Sequence, residues 1–62
     1  MKRRDFIRQI TQAGWVLVSE DGPHAKYRKR GCPFAVPRGR EISPGVVRAW
    51  EKLNRELDEE DE

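Results

Sequence analysis

A chain of 62 residues makes one domain, and a core of that size is marginal without a metal, disulfides or a partner. Cys32 is the single cysteine, which excludes a disulfide within the chain, and one histidine with one cysteine cannot build a four-ligand zinc site without a second copy of the chain. The net charge of +2 hides an asymmetry: residues 56–62, "ELDEEDE", hold six acids and no base, leaving 13 bases against 5 acids, or +8, on residues 1–55.

A small basic body with an acidic end is a common pattern among proteins that meet a polyanion. The longest apolar runs, such as residues 15–18, are too short for a membrane span or a signal-peptide core. A lone cysteine fits a reducing compartment. These features predict a cytoplasmic protein that needs neither membrane nor cofactor.

The opening "RRDFIRQITQAG" reads as a helix, because Phe6, Ile7, Ile10 and Ala13 fall on one face. Gly14 sits where a left-handed cap would end it. Its start is poorly specified, since no Ser, Thr or Asn precedes Arg3. "WVLVS" follows as a strand, and "EDGP" is turn chemistry. "HAKYRK" reads as a second strand, with residues 29–31 as the next turn. "CPFAVP" is a third, short strand whose prolines suggest an edge. After the polar loop "RGRE", "ISPGVVRAWEKLNREL" reads as a second helix with Ser43 as N-cap and Pro44 as its first residue. Val46, Val47, Trp50, Leu53 and Leu57 mark its apolar face. Residues 1–55 are thus one domain, and residues 56–62 are expected to fray, because acids at a helix C-terminus oppose the macrodipole.

The expected fold class is α+β, helix–strand–strand–strand–helix, with two helices packed on one face of a three-stranded antiparallel sheet. Trp15, Trp50, Phe6 and Ile10 are its expected core. Period-two alternation on the middle strand puts His24, Lys26 and Arg28 on one face and Ala25 and Tyr27 on the other. The apolar pair should meet the helices, leaving an imidazole and two cations in a row on the open face. Lys and Arg attract phosphate and can stabilise a phosphoryl transition state. Neutral imidazole can act as a general base. RNA brings its own nucleophile, the 2′-hydroxyl. One base with cationic stabilisation is therefore a minimal metal-free ribonuclease, although an exposed histidine after a turn is more often only a polar surface residue.

The order of these features resembles the HicA-type toxins, the small RNA-cleaving half of a toxin–antitoxin pair. The resemblance spans residues 2–53. It rests on a basic N-terminal helix ending in "AGW", the Gly-x-His-x-x-aromatic segment "GPHAKY", the strand end Val36-Pro37, and "REISPGVVRAW" opening the last helix. It implies a double-stranded-RNA-binding-like fold and mRNA cleavage dependent on His24, with Gly22 letting the turn deliver that histidine. It also implies a HicB-type antitoxin covering the active surface. Serine is common before the histidine in this family. Here Pro23 supplies neither hydroxyl nor backbone N–H, so weakened or lost cleavage is an alternative outcome. The loop "RGRE" is also shorter than usual.

The leading expectation is a metal-independent endoribonuclease toxin. His24 acts as general acid or base, and Lys26 and Arg28 hold phosphate. Lys2, Arg3 and Arg4 extend the contact from the first helix, and Arg38 and Arg40 reach it from the loop. The alternative is a non-catalytic RNA-binding module of the same fold. A third reading is a protein-interaction domain whose basic face meets an acidic partner.

Overall fold

The computed structural model describes residues 1–20 and 22–60. Its elements run α1 (Arg3–Gln12), β1 (Val16–Ser19), β2 (His24–Lys29), β3 (Cys32–Pro37) and α2 (Pro44–Glu60). Asp21 of the expected first turn, and Asp61 and Glu62 of the acidic end, lie outside the described residues.

No side chain caps α1 at Lys2, and distant backbone starts the helix instead. Arg3 N–H donates to the Arg40 carbonyl at 2.8 Å, and Ile42 N–H donates to the Met1 carbonyl at 2.7 Å. Lys2 and Glu41 face each other in an antiparallel bridge between these segments. The far end of α1 is locally encoded. Gly14 N–H bonds the Thr11 carbonyl and Trp15 N–H bonds the Ile10 carbonyl, both at 3.1 Å, which is the Schellman pattern. It requires the positive φ of Gly14, +97°, and it turns Trp15 straight into the core.

The sheet is antiparallel in the order β1-β2-β3. Arg30 and Gly31 join β2 to β3 with φ of +53° and +79°. Two central residues of positive φ make a type I′ hairpin turn, whose twist matches that of the flanking strands. The register with β3 is unbroken, from His24↔Pro37 to Lys29↔Cys32. That with β1 pairs Val16↔Arg28 and Leu17↔Tyr27, then slips at a bulge so that Ser19 faces Lys26.

Both helices feed one core. Phe6 and Ile10 of α1 and Trp50 and Leu57 of α2 are buried with Trp15, Ala25, Tyr27, Val36 and Ile42. The Phe6 ring meets Trp50 at 5.7 Å and Phe34 at 6.5 Å between centroids, both edge-on. Trp15 meets Phe34 at 6.2 Å and Trp50 at 6.4 Å, so the aromatic contacts run from helix to strand to helix. All four residues expected in the core are there. Ile42, which precedes α2, joins them because the bridge to Met1 draws its segment inward.

At the start of α2 the Val46 N–H lies 3.4 Å from Ser43 Oγ, the N-cap contact expected there. The other end departs from expectation. Fraying from residue 56 is replaced by helix as far as Glu60. Leu57 continues the apolar stripe into the core. Lys29 Nζ lies 3.0 Å from Asp58 Oδ1, and Arg30 Nη1 donates to the Leu57 carbonyl at 3.2 Å. Two cations of the hairpin thus offset the acids at the negative end of the helix dipole. Asn54 Oδ1 joins the same contact by accepting from Trp15 Nε1 at 3.0 Å and Lys29 Nζ at 3.3 Å.

Two glycine substitutions should have opposite signs. Gly14→Ala forces a side chain into a left-handed conformation and should cost about 1–2 kcal/mol. Gly45→Ala, on α2 with nothing within 4 Å of the added Cβ, should gain about 0.4–1 kcal/mol. Urea denaturation of the two variants checks both.

Candidate nucleic-acid interface

The site is built on β2. Ala25 and Tyr27 are buried, and His24, Lys26 and Arg28 are exposed. Alternate residues of a strand recur about every 6.6 Å, so the three basic side chains form a short row on the face the helices leave open. The register supplies its margins. Pro37, Ala35 and Pro33 of β3 stand beside His24, Lys26 and Arg28 in turn. Ser19 and Val16 of β1 stand beside Lys26 and Arg28. The open face is therefore a basic stripe with mostly apolar borders.

His24 sits at the mouth of a clamped turn. Gly22 adopts a φ of +75°, and the chain then passes through Pro23 into β2. Arg38, just beyond β3, holds this turn. Its Nε donates to the Gly22 carbonyl at 2.8 Å, its Nη2 to the Glu20 carbonyl, and its backbone N–H to the Pro23 carbonyl at 3.1 Å. Expected as a substrate contact, Arg38 spends two guanidinium donors on the turn that carries His24. It is placed first of all to position that turn.

The remaining basic residues gather at the same end. Lys2, Arg3, Arg4 and Arg40 line a shallow groove with Gly39 and Glu41, between the start of α1 and the loop before α2. Arg3 Nε donates to the Pro37 carbonyl at 3.2 Å, and Pro37 is the strand partner of His24. The groove thus adjoins the His24 end of the row. Arg4 lies 3.8 Å from Asp5, and the chain-terminal ammonium 3.7 Å from Glu41. Both are exposed pairs worth little against solvent and salt.

The aromatic side chains all belong to the other side of the sheet. Phe6, Trp15, Tyr27 and Trp50 are buried, and Phe34 is half-buried against them. Among the described residues the open face therefore offers no Phe, Tyr or Trp ring on which a base could stack, and the His24 imidazole is its one aromatic group. Its two cations suit phosphate, and base stacking contributes little there. No group of three His, Cys, Asp or Glu side chains among the described residues is placed to hold a metal ion.

Sequence reasoning missed the margins of this face. Alternation on β3 separates Pro33, Ala35 and Pro37 from Phe34 and Val36, but only the register reveals which basic residue each one borders. It also missed the Arg38 clamp, which depends on how the ends of β1 and β3 come together.

Comparison of the chain with protein-family models, with curated proteins and with solved structures gives no match.

Behind the row, burial pushes the Tyr27 phenol above its ordinary pKa, the Arg3 guanidinium pulls it down, and the Glu20 carboxylate adds to the rise. The folded state thus keeps a proton that the unfolded chain releases near pH 10. Stability from this group is complete below that value and falls as pH climbs toward the raised one. Tyr27→Phe should flatten this alkaline decline in urea midpoints measured across the window. Parallel declines in the two proteins would show that Tyr27 has no part in it.

Proposed function

We propose that this chain is a HicA-type toxin with a double-stranded-RNA-binding-like fold, acting as a metal-independent endoribonuclease on mRNA in the cytoplasm. The observation that supports this reading most is the exposed row His24–Lys26–Arg28, with His24 at a turn held by three hydrogen bonds from Arg38. A general base must be accessible and well placed; His24 is exposed, and the backbone turn that carries it is held by Arg38.

In this reading the RNA backbone lies along β2. Lys26 and Arg28 hold phosphates, and Lys2, Arg3, Arg4 and Arg40 continue the track past His24. His24 takes the proton of a ribose 2′-hydroxyl. The 2′-oxygen bonds to the adjacent phosphorus, and the bond from phosphorus to the 5′-oxygen breaks. Water protonates the leaving oxygen, and the hydroxide so formed recovers the proton held by the imidazolium. The products are a 2′,3′-cyclic phosphate and a 5′-hydroxyl. Lys26 and Arg28 stabilise the charge that develops on the phosphoryl oxygens. A HicB-type antitoxin would silence the site by covering the basic row. Pro23 contributes no hydroxyl, so cleavage here relies on the imidazole and the cations alone.

His24→Ala should lower RNA cleavage by the purified protein by about 10²–10⁴-fold and abolish growth arrest on expression without antitoxin. Equal cleavage by wild type and variant would sink the assignment of His24. Intact RNA with a shifted, salt-sensitive band in both would establish the non-catalytic RNA-binding module instead. Arg28→Ala should weaken RNA binding and reduce the slope of log K against log salt by about 0.7–1. An unchanged slope would remove Arg28 from the phosphate track.

A further inference from the structure

The two outer edges of the sheet are built differently. A two-residue turn closes on a hydrogen-bonded pair, here Lys29↔Cys32, and bonded and non-bonded pairs alternate from it. Pro33, Ala35 and Pro37 therefore direct their outer backbone edge away from β2. Two of these three are prolines without an N–H, and the Pro37 carbonyl already accepts from Arg3. The β3 edge is thus closed to a further strand, as natural edges commonly are.

The β1 edge has neither device; its one irregularity is the bulge beyond Leu17, at Val18–Ser19, which leaves Val16 and Leu17 in regular pairing. Val16, Leu17 and Val18 are 64%, 43% and 53% exposed and, with Met1, are the large apolar side chains open to solvent. Neither a charge nor a proline interrupts them. Counting pairs outward from the same hairpin, Arg28↔Val16 is bonded and Tyr27↔Leu17 is not. Leu17 therefore directs both its N–H and its C=O away from β2, while the N–H of Trp15 is already given to Ile10.

We infer that this edge joins a second copy of the chain through a two-fold antiparallel pairing centred on Leu17. That register makes Leu17 and its counterpart a bonded pair and sets Val16 of each copy against Val18 of the other. The side chains of the three central pairs, Val16, Leu17 and Val18 of each copy, are all apolar. Charge permits the arrangement. The two basic rows are separated by three strand spacings, about 14 Å, which exceeds the screening length of about 8 Å at physiological salt. A marginal core is the expected beneficiary of such a partner. The product is one continuous six-stranded sheet with two basic rows on the same face, so one RNA can meet both. With few residues per copy at the joint, the dimer is a weak one that forms at high concentration.

The experiment is sedimentation equilibrium of the purified full chain from micromolar to millimolar concentration, at physiological salt. Wild type should pass from one to two chains. The double variant Val16→Lys, Val18→Lys should stay monomeric with an unchanged circular dichroism spectrum, and Val16→Thr, which keeps the shape without the charge, should weaken association less. Hydrogen exchange at the Leu17 amide should slow with concentration in wild type only. A wild type monomeric throughout would overturn the inference, as would a dimer that survives both lysines. So would a Leu17 amide protected only when RNA or an acidic polypeptide is added, which would assign the edge to another occupant. None of these outcomes depends on RNA cleavage.

Discussion

The alternation of β2 is the constraint on which the rest depends. Ala25 and Tyr27 can be buried only under a layer of helix, and burying them turns His24, Lys26 and Arg28 outward together. A one-residue slip of this strand would bury three basic side chains and expose the core face. Desolvating those charges without partners is far more costly than any gain in packing. The hydrophobic effect thus sets the chemistry of the open face indirectly, by deciding what cannot lie on it.

Around that strand, each end of the sheet is tied to a helix by polar contacts at the rim of the core. At one end Asn54 and Asp58 of α2 take Lys29, and the Leu57 carbonyl takes Arg30. At the other end Arg38 ties the turn before β2 to the chain leaving β3, and Arg3 ties α1 to Pro37. The basic residues divide accordingly. Lys29, Arg30 and Arg38 serve the fold, whereas Lys26 and Arg28 are left to the open face. The +8 of the body is therefore not all available to a polyanion, and counting charges alone overstates the interface.

Much of the architecture was legible because it rests on short-range chemistry. Gly14 encodes the end of α1, the Ser43-Pro44 pair the start of α2, and the prolines of β3 an edge. The face shared by His24, Lys26 and Arg28 follows from period two. The register of β1 was not legible, because a bulge at Val18–Ser19 has no reliable local code. Nor was the start of α1, which is held by backbone more than thirty residues away. The acidic end misled because macrodipole reasoning considers the helix alone, and Lys29 and Arg30 reach it from the hairpin.

By itself, then, the sequence determined the element order, the core aromatics and the composition of the middle strand's two faces, since all three depend on neighbours within a few residues. Tertiary structure alone decided that Arg38 braces the turn at His24, that Arg3 brings the α1 groove beside that histidine, and that Val16, Leu17 and Val18 are left at an open edge. These facts depend on which segments meet across the sheet. Strand pairing and helix docking are settled by the whole core at once, not by any stretch of chain read alone.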